Sequence, residues 1–510
     1  PPPPPPPTLF FQAEDGIRDR SPSRGLGDVY KRQLINSLSK SNHKDKYLIG
    51  TGLNSLSETI NFMKISKPNI LFILADDLGW GDVSSHGSQI RTPNIDLLMS
   101  EGVEFKQHYV QPMCTPTRAS LLSGRYPSRF GKHATIPSNR PVFPDGYQTL
   151  ASVLRDSGYE TGLFGKWHLG STPGSGPNNF GFDYSYGSLA GGVDPFNHMY
   201  KKGEFSVTWN RNGEYIKEFG HVTDLIFNEA INWIENRNSP WFCYVPFTAV
   251  HVPVKPNSFW ANQYNSQRFD EDNLKDNSFK KYAAYASHMD YAIGELIKTL
   301  EQKGERENTI IVFSSDNGAI DTAPIHQTDQ YPGWQEELPR LGSNLPFRGL
   351  KSQLYEGGIR TPTVINWKDS LGSGKVEEPV HISDWMPTFS NLLDLKIKDD
   401  PKWDGHDIWD LILGNSVPNY SREIYWNFKA EEGLCIRDGD WKLISSKNEN
   451  QIKRKLELFN ICEDPFETDD ISEKQIDKVN QLESKINKEL NLDYLDVRND
   501  LDRYFDPLYN

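Results

Sequence analysis

The sequence predicts an α/β fold: a large domain built on a mixed, mostly parallel sheet flanked by helices, followed by a small C-terminal α+β domain with an antiparallel sheet. Three observations predict it. The 510 residues exceed what one hydrophobic core usually organises. From Asn69 onward, short apolar runs alternate with amphipathic segments, the pattern of strands covered by helices. After about Pro418 the texture changes to strand-like runs around an Asp-Gly turn, then a charged helical segment. The expected domains are therefore 63–418 and 419–510, preceded by an extension, residues 1–62.

That extension opens with seven prolines and continues without periodicity or signal-peptide anatomy. Phe10 to Gln33 resembles translated sequencing-adapter read-through, so the extension is excluded from the fold and a start at Met63 is expected. The compartment is left open between the cytoplasm and export. Ile70 to Ala75 then reads as the first strand and runs into Asp76 and Asp77. Asn94 to Glu101 has the apolar spacing of a covering helix, as do Leu150 to Ser157, Tyr282 to Lys303 and Ser383 to Leu393. Pro116 suits a first helical turn and Gly124 a helix end, which places Cys114 at a helix start. Three more strands end on polar residues: Thr161 to Phe164 before Lys166 and His168, Trp241 to Phe247 before His251, and Ile310 to Ser314 before Asp316 and Asn317. Ligands of open α/β sheets bind beyond the carboxyl ends of strands, so these endings are expected to converge on one crevice. A last helix is expected near Glu473 to Leu490.

Composition excludes some partners. With 55 basic and 69 acidic residues the formal charge is −14, which offers no general attraction for nucleic acid or an anionic membrane. No apolar run is long enough to span a bilayer. The four cysteines, Cys114, Cys243, Cys435 and Cys462, show no zinc spacing or disulfide framework and are expected as free thiols.

Asp76, Asp77, Asp316 and Asn317 offer an all-oxygen ligand set suited to a hard divalent cation such as calcium, although such pairs are more often turn residues or caps. At a helix start, Cys114 faces free N–H groups and the positive end of the helix dipole, which favours an anion or an anionic nucleophile; a buried, inert cysteine is the plainer alternative. Arg118 lies one turn on. Lys166 and His168 alternate, so an extended segment presents them on one side. His251 has the position of a general acid, or of a histidine bonded to a loop carbonyl. Lys351 and Arg360 flank a segment whose paired glycines imply a tight turn or close backbone approach. The conjunction of an oxygen-rich metal set, a nucleophile at a helix start and several basic groups describes an anionic-ester hydrolase.

Cys-Thr-Pro-Thr-Arg followed by Leu-Leu-Ser-Gly-Arg resembles the modification signature of formylglycine sulfatases, a Cys-x-Pro-x-Arg type. The segments around Asp76, Lys166, Asp316 and Arg360 occur in that family's order, over about Lys67 to Asp470. Asn-Leu-Pro-Phe-Arg-Gly-Leu-Lys and His-Ile-Ser-Asp-Trp-Met-Pro-Thr resemble segments of arylsulfatase B-like, N-acetylgalactosamine-4-sulfatase-like enzymes. The resemblance implies an alkaline-phosphatase-like large domain and hydrolysis of a sulfated sugar or aryl sulfate. It implies that Asp76, Asp77, Asp316 and Asn317 hold Ca2+ together with Cys114, itself oxidised to formylglycine (3-oxoalanine) by a formylglycine-generating enzyme. The hydrated aldehyde would attack sulfur with one oxygen and expel sulfate with the other. Arg118 and Lys166 would stabilise it, His168 would assist proton removal, and Lys351 with His251 would bind sulfate and protonate the leaving oxygen. Two alternatives stay open: a phosphate or phosphonate monoesterase of the same superfamily, and a non-catalytic binder of sulfated glycans. The resemblance is weakest between Ser171 and Glu235.

Overall fold

Seven consecutive buried residues, Asn69–Ala75, form strand β1, and an apolar run without alternation is what a parallel strand covered on both faces requires. The computed structural model describes residues 67–398, 400–415, 422–447 and 453–493. The expected extension 1–62 and the boundary after 418 lie outside the described residues. Beside β1 the chain forms β2 (Val103–Phe105), β3 (His108–Tyr109), β4 (Glu160–Lys166), β5 (Tyr184–Ser188), β6 (Trp209–Arg211), β7 (Glu214–Tyr215), β8 (Trp241–Pro246), β9 (Thr309–Ser315), β10 (Val364–Asn366), β11 (Gly374–Val376) and β12 (Val380–His381). Ten of these make one sheet in the order β11-β2-β10-β9-β1-β8-β4-β5-β6-β7. The run from β9 to β5 is parallel, and the antiparallel pairs lie toward the edges. With β8 on one side of β1 and β9 on the other, the carboxyl ends of β1, β4, β8 and β9 open toward a single crevice.

The principal helices are α1 (Pro93–Glu101), α2 (Cys114–Ser123), α3 (Leu150–Asp156), α4 (Val222–Glu235), α5 (Asn273–Lys303), α6 (Trp385–Leu392) and α7 (Ile476–Leu490). α5 begins well before the expected Tyr282. Its first three residues, Asn273, Leu274 and Lys275, are exposed, and the first turns are mostly polar, so apolar spacing gives little sign of them; the start is set instead by Asp272, whose carboxylate accepts from the N–H groups of Leu274 and Lys275 at 2.8 and 3.1 Å. Among the described residues, no helix is long and apolar enough to cross a membrane, and all four cysteines are free.

The C-terminal sheet is antiparallel in the order β13 (Glu423–Phe428), β14 (Gly433–Asp438), β15 (Trp441–Ser446), β16 (Lys455–Asn460). Gly439, at φ 59°, supplies the left-handed residue that the tight β14–β15 connection needs. Strict alternation sorts its two faces. Ile424, Trp426, Phe428 and Ile444 pack with Tyr109, Leu354 and Ile359 of the large domain, whereas Tyr425, Leu434, Ile436 and Leu443 are covered by Val479, Leu482 and Ile486 of α7. The sheet thus braces the segment that carries Lys351.

Candidate active site

β1 and β9 end side by side, and their next residues are acidic. The Asp316 N–H continues the ladder by donating to the Ala75 carbonyl at 3.1 Å. Asp77 then takes a left-handed backbone, φ 64°, and its N–H donates to Asp316 Oδ1 at 3.2 Å. Asn317 donates from Nδ2 to Asp77 Oδ1 at 2.7 Å. All four side chains are buried. Asp76 Oδ1 and Asn317 Oδ1 have no hydrogen-bond partner, and buried polar atoms are rarely left so.

Each carboxylate meets a basic residue from another element. Lys166, the last residue of β4, lies 2.7 Å from Asp76 Oδ2. Arg118 of α2 donates to Asp316 Oδ2 from Nε at 3.2 Å and Nη2 at 2.7 Å, and to the Lys166 carbonyl at 2.8 Å. Lys351 sits 2.6 Å from Asp77 Oδ1 and 2.8 Å from Oδ2. Burial pushes Asp76 up to about 8 despite Lys166, with Asp316 and Asp77 adding to the push. Burial acts the same way on Asp77, but Lys351 and His251 outweigh it and hold that carboxyl below its usual range. Lys351 is the converse: burial alone would lower it, and Asp77 with Cys114 raises it instead.

Cys114 opens α2 at the rim of this cluster and is buried. Thr117 fixes the helix start against β9, because its hydroxyl donates to the Asp316 carbonyl at 2.5 Å and accepts the Gln111 N–H at 3.0 Å. Asp76, Cys114 and Asp316 each bring a ligand atom within 4.8 Å of the others, as do Asp76, Asp77 and His251. Two metal-sized groups therefore share Asp76. Burial raises the Cys114 thiol against the pull of Lys166 and Lys351, so the sulfur as encoded is a neutral thiol and a poor nucleophile.

His168 reaches the cluster by another route than strand alternation. β4 stops at Lys166 and His168 is left-handed, φ 58°; burial first, then Lys166 and Arg118, lower its pKa. Its ring lies against Gly191, where a Cβ would come 2.2 Å from Nε2, so only glycine fits there. His251 turns Nδ1 to the Val252 carbonyl at 2.6 Å and Nε2 toward Asp77 Oδ2 at 3.8 Å. Burial and Lys351 lower its pKa too. Arg360 stays outside, stacked over Phe347 and donating to the Lys106 carbonyl. Sequence reasoning missed Gly191, Gly192 and Tyr331. The glycine pair was the one available signal, whereas Tyr331 comes from a loop far along the chain.

A third metal-sized group, His221, Asp224 and His288, lies elsewhere. Both ring nitrogens of His221 are occupied, Nδ1 by the Thr223 N–H and Nε2 by the Lys255 carbonyl, so this group ties α4 to α5.

A family model described as Sulfatase matches residues 68–395, and one described as N-sulphoglucosamine sulphohydrolase, C-terminal, matches residues 350–493. Mouse arylsulfatase J is 32% identical over 461 residues, covering 80% of this chain and 73% of its own. The N-acetylgalactosamine-6-O-sulfatase of Bacteroides thetaiotaomicron is 28% identical over 510 residues, covering 85% and 95%. Among solved structures, Ps i-CgsB in complex with k-i-k-neocarrahexaose superposes with a TM-score of 0.70 at 31% identity, covering 82% of this chain and 93% of that one.

Proposed function

The chain belongs to the sulfatase family and is a sulfatase, and from that premise we propose that it hydrolyses a sulfate ester on a sugar, with Cys114 oxidised to formylglycine as nucleophile and calcium as metal. The observation that carries this reading is the meeting of Cys114 with Asp76 and Asp316 at ligand distance, beside two buried oxygens, Asp76 Oδ1 and Asn317 Oδ1, that lack a donor. The residues fit a hard cation, since Asp76, Asp77, Asp316 and Asn317 present only oxygen. Held there, calcium would draw charge from the sulfate oxygens. The raised thiol of Cys114 supports modification over thiolate chemistry.

The other groups divide the remaining work. Arg118 and Lys166 hold the nucleophile end of the site, Lys166 being the nearer to Asp76. Lys351 is placed to bind sulfate. His168, kept neutral by its surroundings, can accept the proton released as the nucleophile attacks. His251 presents Nε2, because Nδ1 is held by the Val252 carbonyl. That nitrogen faces Asp77 Oδ2 at 3.8 Å, and a bound sulfate would add to the negative surroundings that favour its protonated form, the form able to protonate the leaving oxygen. Several relatives are named for the 6-position, and N-acetylgalactosamine 6-sulfate is the substrate to try before the 4-sulfate.

The purified protein is expected to release sulfate from that sugar and from nitrophenyl sulfate, and far less phosphate from the matching phosphate esters. The peptide spanning residue 114 should show the mass of an aldehyde, and metal analysis should find calcium. Phosphate release alone, or full activity with an intact thiol at 114, would overturn the proposal.

A further inference from the structure

Beyond Gly191 the wall of the site is built by two loops that the catalytic reading does not use. Met199 pairs with Val207, and the Tyr200 N–H donates to the Ser206 carbonyl at 2.9 Å, closing a tight loop. That loop is pinned to the segment around Tyr331: the Lys202 N–H donates to the Gln330 carbonyl at 2.8 Å, Lys202 pairs with Asp329 at 3.2 Å, and the Tyr200 and Tyr331 rings meet edge to face at 6.1 Å. Tyr331 is 1% exposed, and its hydroxyl has no hydrogen-bond partner. It points at Gly192, where a Cβ would lie 2.6 Å from that hydroxyl and 3.3 Å from His251 Cε1. A buried phenol beside the acid-bearing histidine, with no acceptor of its own, is waiting for an oxygen that the protein does not provide.

Lys201 stands next along this wall, half-buried, with Nζ 5.8 Å from the Tyr200 ring centroid. Its ammonium is within electrostatic reach of Lys351, Cys114 and Lys166, and burial together with Lys351 lowers its pKa. The contrast with the catalytic cations is direct. Arg118, Lys166 and Lys351 each have a carboxylate, Asp316, Asp76 and Asp77, whereas Lys201 forms no ion pair among the described residues. A half-buried ammonium facing two other cations is unfavourable unless an anion joins it. Lys351 is the cation placed for the scissile sulfate, whereas Lys201 Nζ stands over the Tyr200 ring, which in turn meets Tyr331.

Building on the sulfatase reading, we infer that Lys201 and Tyr331 form a second subsite. Lys201 binds another anionic substituent of the sugar that carries the scissile sulfate, and Tyr331 donates to an oxygen between the two. The substrate is then a polyanionic saccharide, not a singly sulfated one.

The test uses inhibition of nitrophenyl sulfate hydrolysis, which needs no knowledge of which ester is cut. N-acetylgalactosamine 4,6-disulfate is expected to inhibit about tenfold more strongly than the 6-sulfate, the worth of one charge-assisted hydrogen bond. In Lys201→Gln that ratio should fall to near one, and Lys201→Arg should restore it. Because the readout is a ratio within one variant, partial loss of folded protein does not move it. Equal inhibition by the two sugars in the wild type, or an unchanged ratio in Lys201→Gln, overturns the inference while leaving the sulfatase reading intact. Absence of nitrophenyl sulfate hydrolysis, with neither sugar desulfated, would remove both together.

Discussion

Two buried clusters of charge lie on either side of the Gly357–Gly358 turn, and they are built alike. Around β1, Asp76 and Asp77 meet Lys166 and Lys351. Beneath the turn, Lys442 of β15 spans Glu356 Oε1 at 2.9 Å and Glu467 Oε1 at 2.8 Å, with neither side exposed. In each cluster one carboxyl is driven up and its neighbour down. Burial raises Asp76 and Glu467 in spite of a lysine, whereas cations outweigh burial at Asp77 and Glu356. The difference lies in who else is present. Glu356 also accepts from the Tyr109 hydroxyl at 2.7 Å and from Arg360 at 3.2 Å, and its N–H donates to Glu467 at 2.7 Å. The β1 cluster leaves Asp76 Oδ1 and Asn317 Oδ1 without donors and adds a cysteine at a helix start. Glu467 Oε1 also lacks a hydrogen bond, but it stands 2.8 Å from Lys442 Nζ, whereas Asp76 Oδ1 lies 4.0 Å from Arg118 Nη2. Similar charge therefore serves as an anchor where a cation closes on it, and as a site where the protein leaves room.

Lys442→Met should cost the protein most. Removing the shared lysine strands two buried carboxyls, and losing one partner of a buried pair destabilises by about 3–5 kcal/mol. Denaturant unfolding is expected to show that loss, while the kcat of the protein that remains folded stays close to normal. A variant as stable as the parent would mean that Lys442 anchors nothing. Lys351→Met sharpens the other side. With calcium present Asp77 keeps a positive partner, so stability should change little, yet turnover should fall roughly 10²–10³-fold, as when one donor to developing charge is removed. Unfolding in place of lost turnover would make Lys351 a second anchor.

How legible each cluster was follows from where its residues come from. The β1 cluster could be read because its members follow apolar runs: Asp76 after Ile70–Ala75, His251 after Trp241–Phe247, Asp316 after Ile310–Ser314. Pro116 and Gly124 likewise marked α2, which runs from Cys114 to Ser123. Lys442 could not be read that way. In Trp441–Ser446 it looks like the outward residue of an alternating strand, and it is buried because Glu356 and Glu467 arrive from distant loops to meet it. Lys201 and Tyr331 were silent for the same reason. His168 sat near Lys166 as expected, but through a left-handed turn that no period predicts. Apolar periodicity reports what a segment buries, and says nothing of a polar side chain whose partner lies elsewhere in the chain.

The finest test concerns the shared proton beneath the turn. Burial pushes Glu467 up to about 7, Glu356 adds to the push and Lys442 opposes it. Its folded pKa therefore lies above the ordinary value of 4.5. Sign follows from that order: the contribution of Glu467 to stability is fully present below about pH 4.5 and is lost as pH rises through about 7. Glu467→Gln fixes the side chain in the neutral state, so the variant should match the parent near pH 4.5 and gain on it toward pH 8. The gain is expected to be on the order of 1 kcal/mol, since Lys442 loses an ionic partner at the same time and returns part of the benefit. Unfolding free energies measured across that range decide the matter. Parallel curves for the two proteins would mean that Glu467 stays ionised in the folded state, that Lys442 serves both carboxylates fully, and that the resemblance between the two clusters stops at their shape.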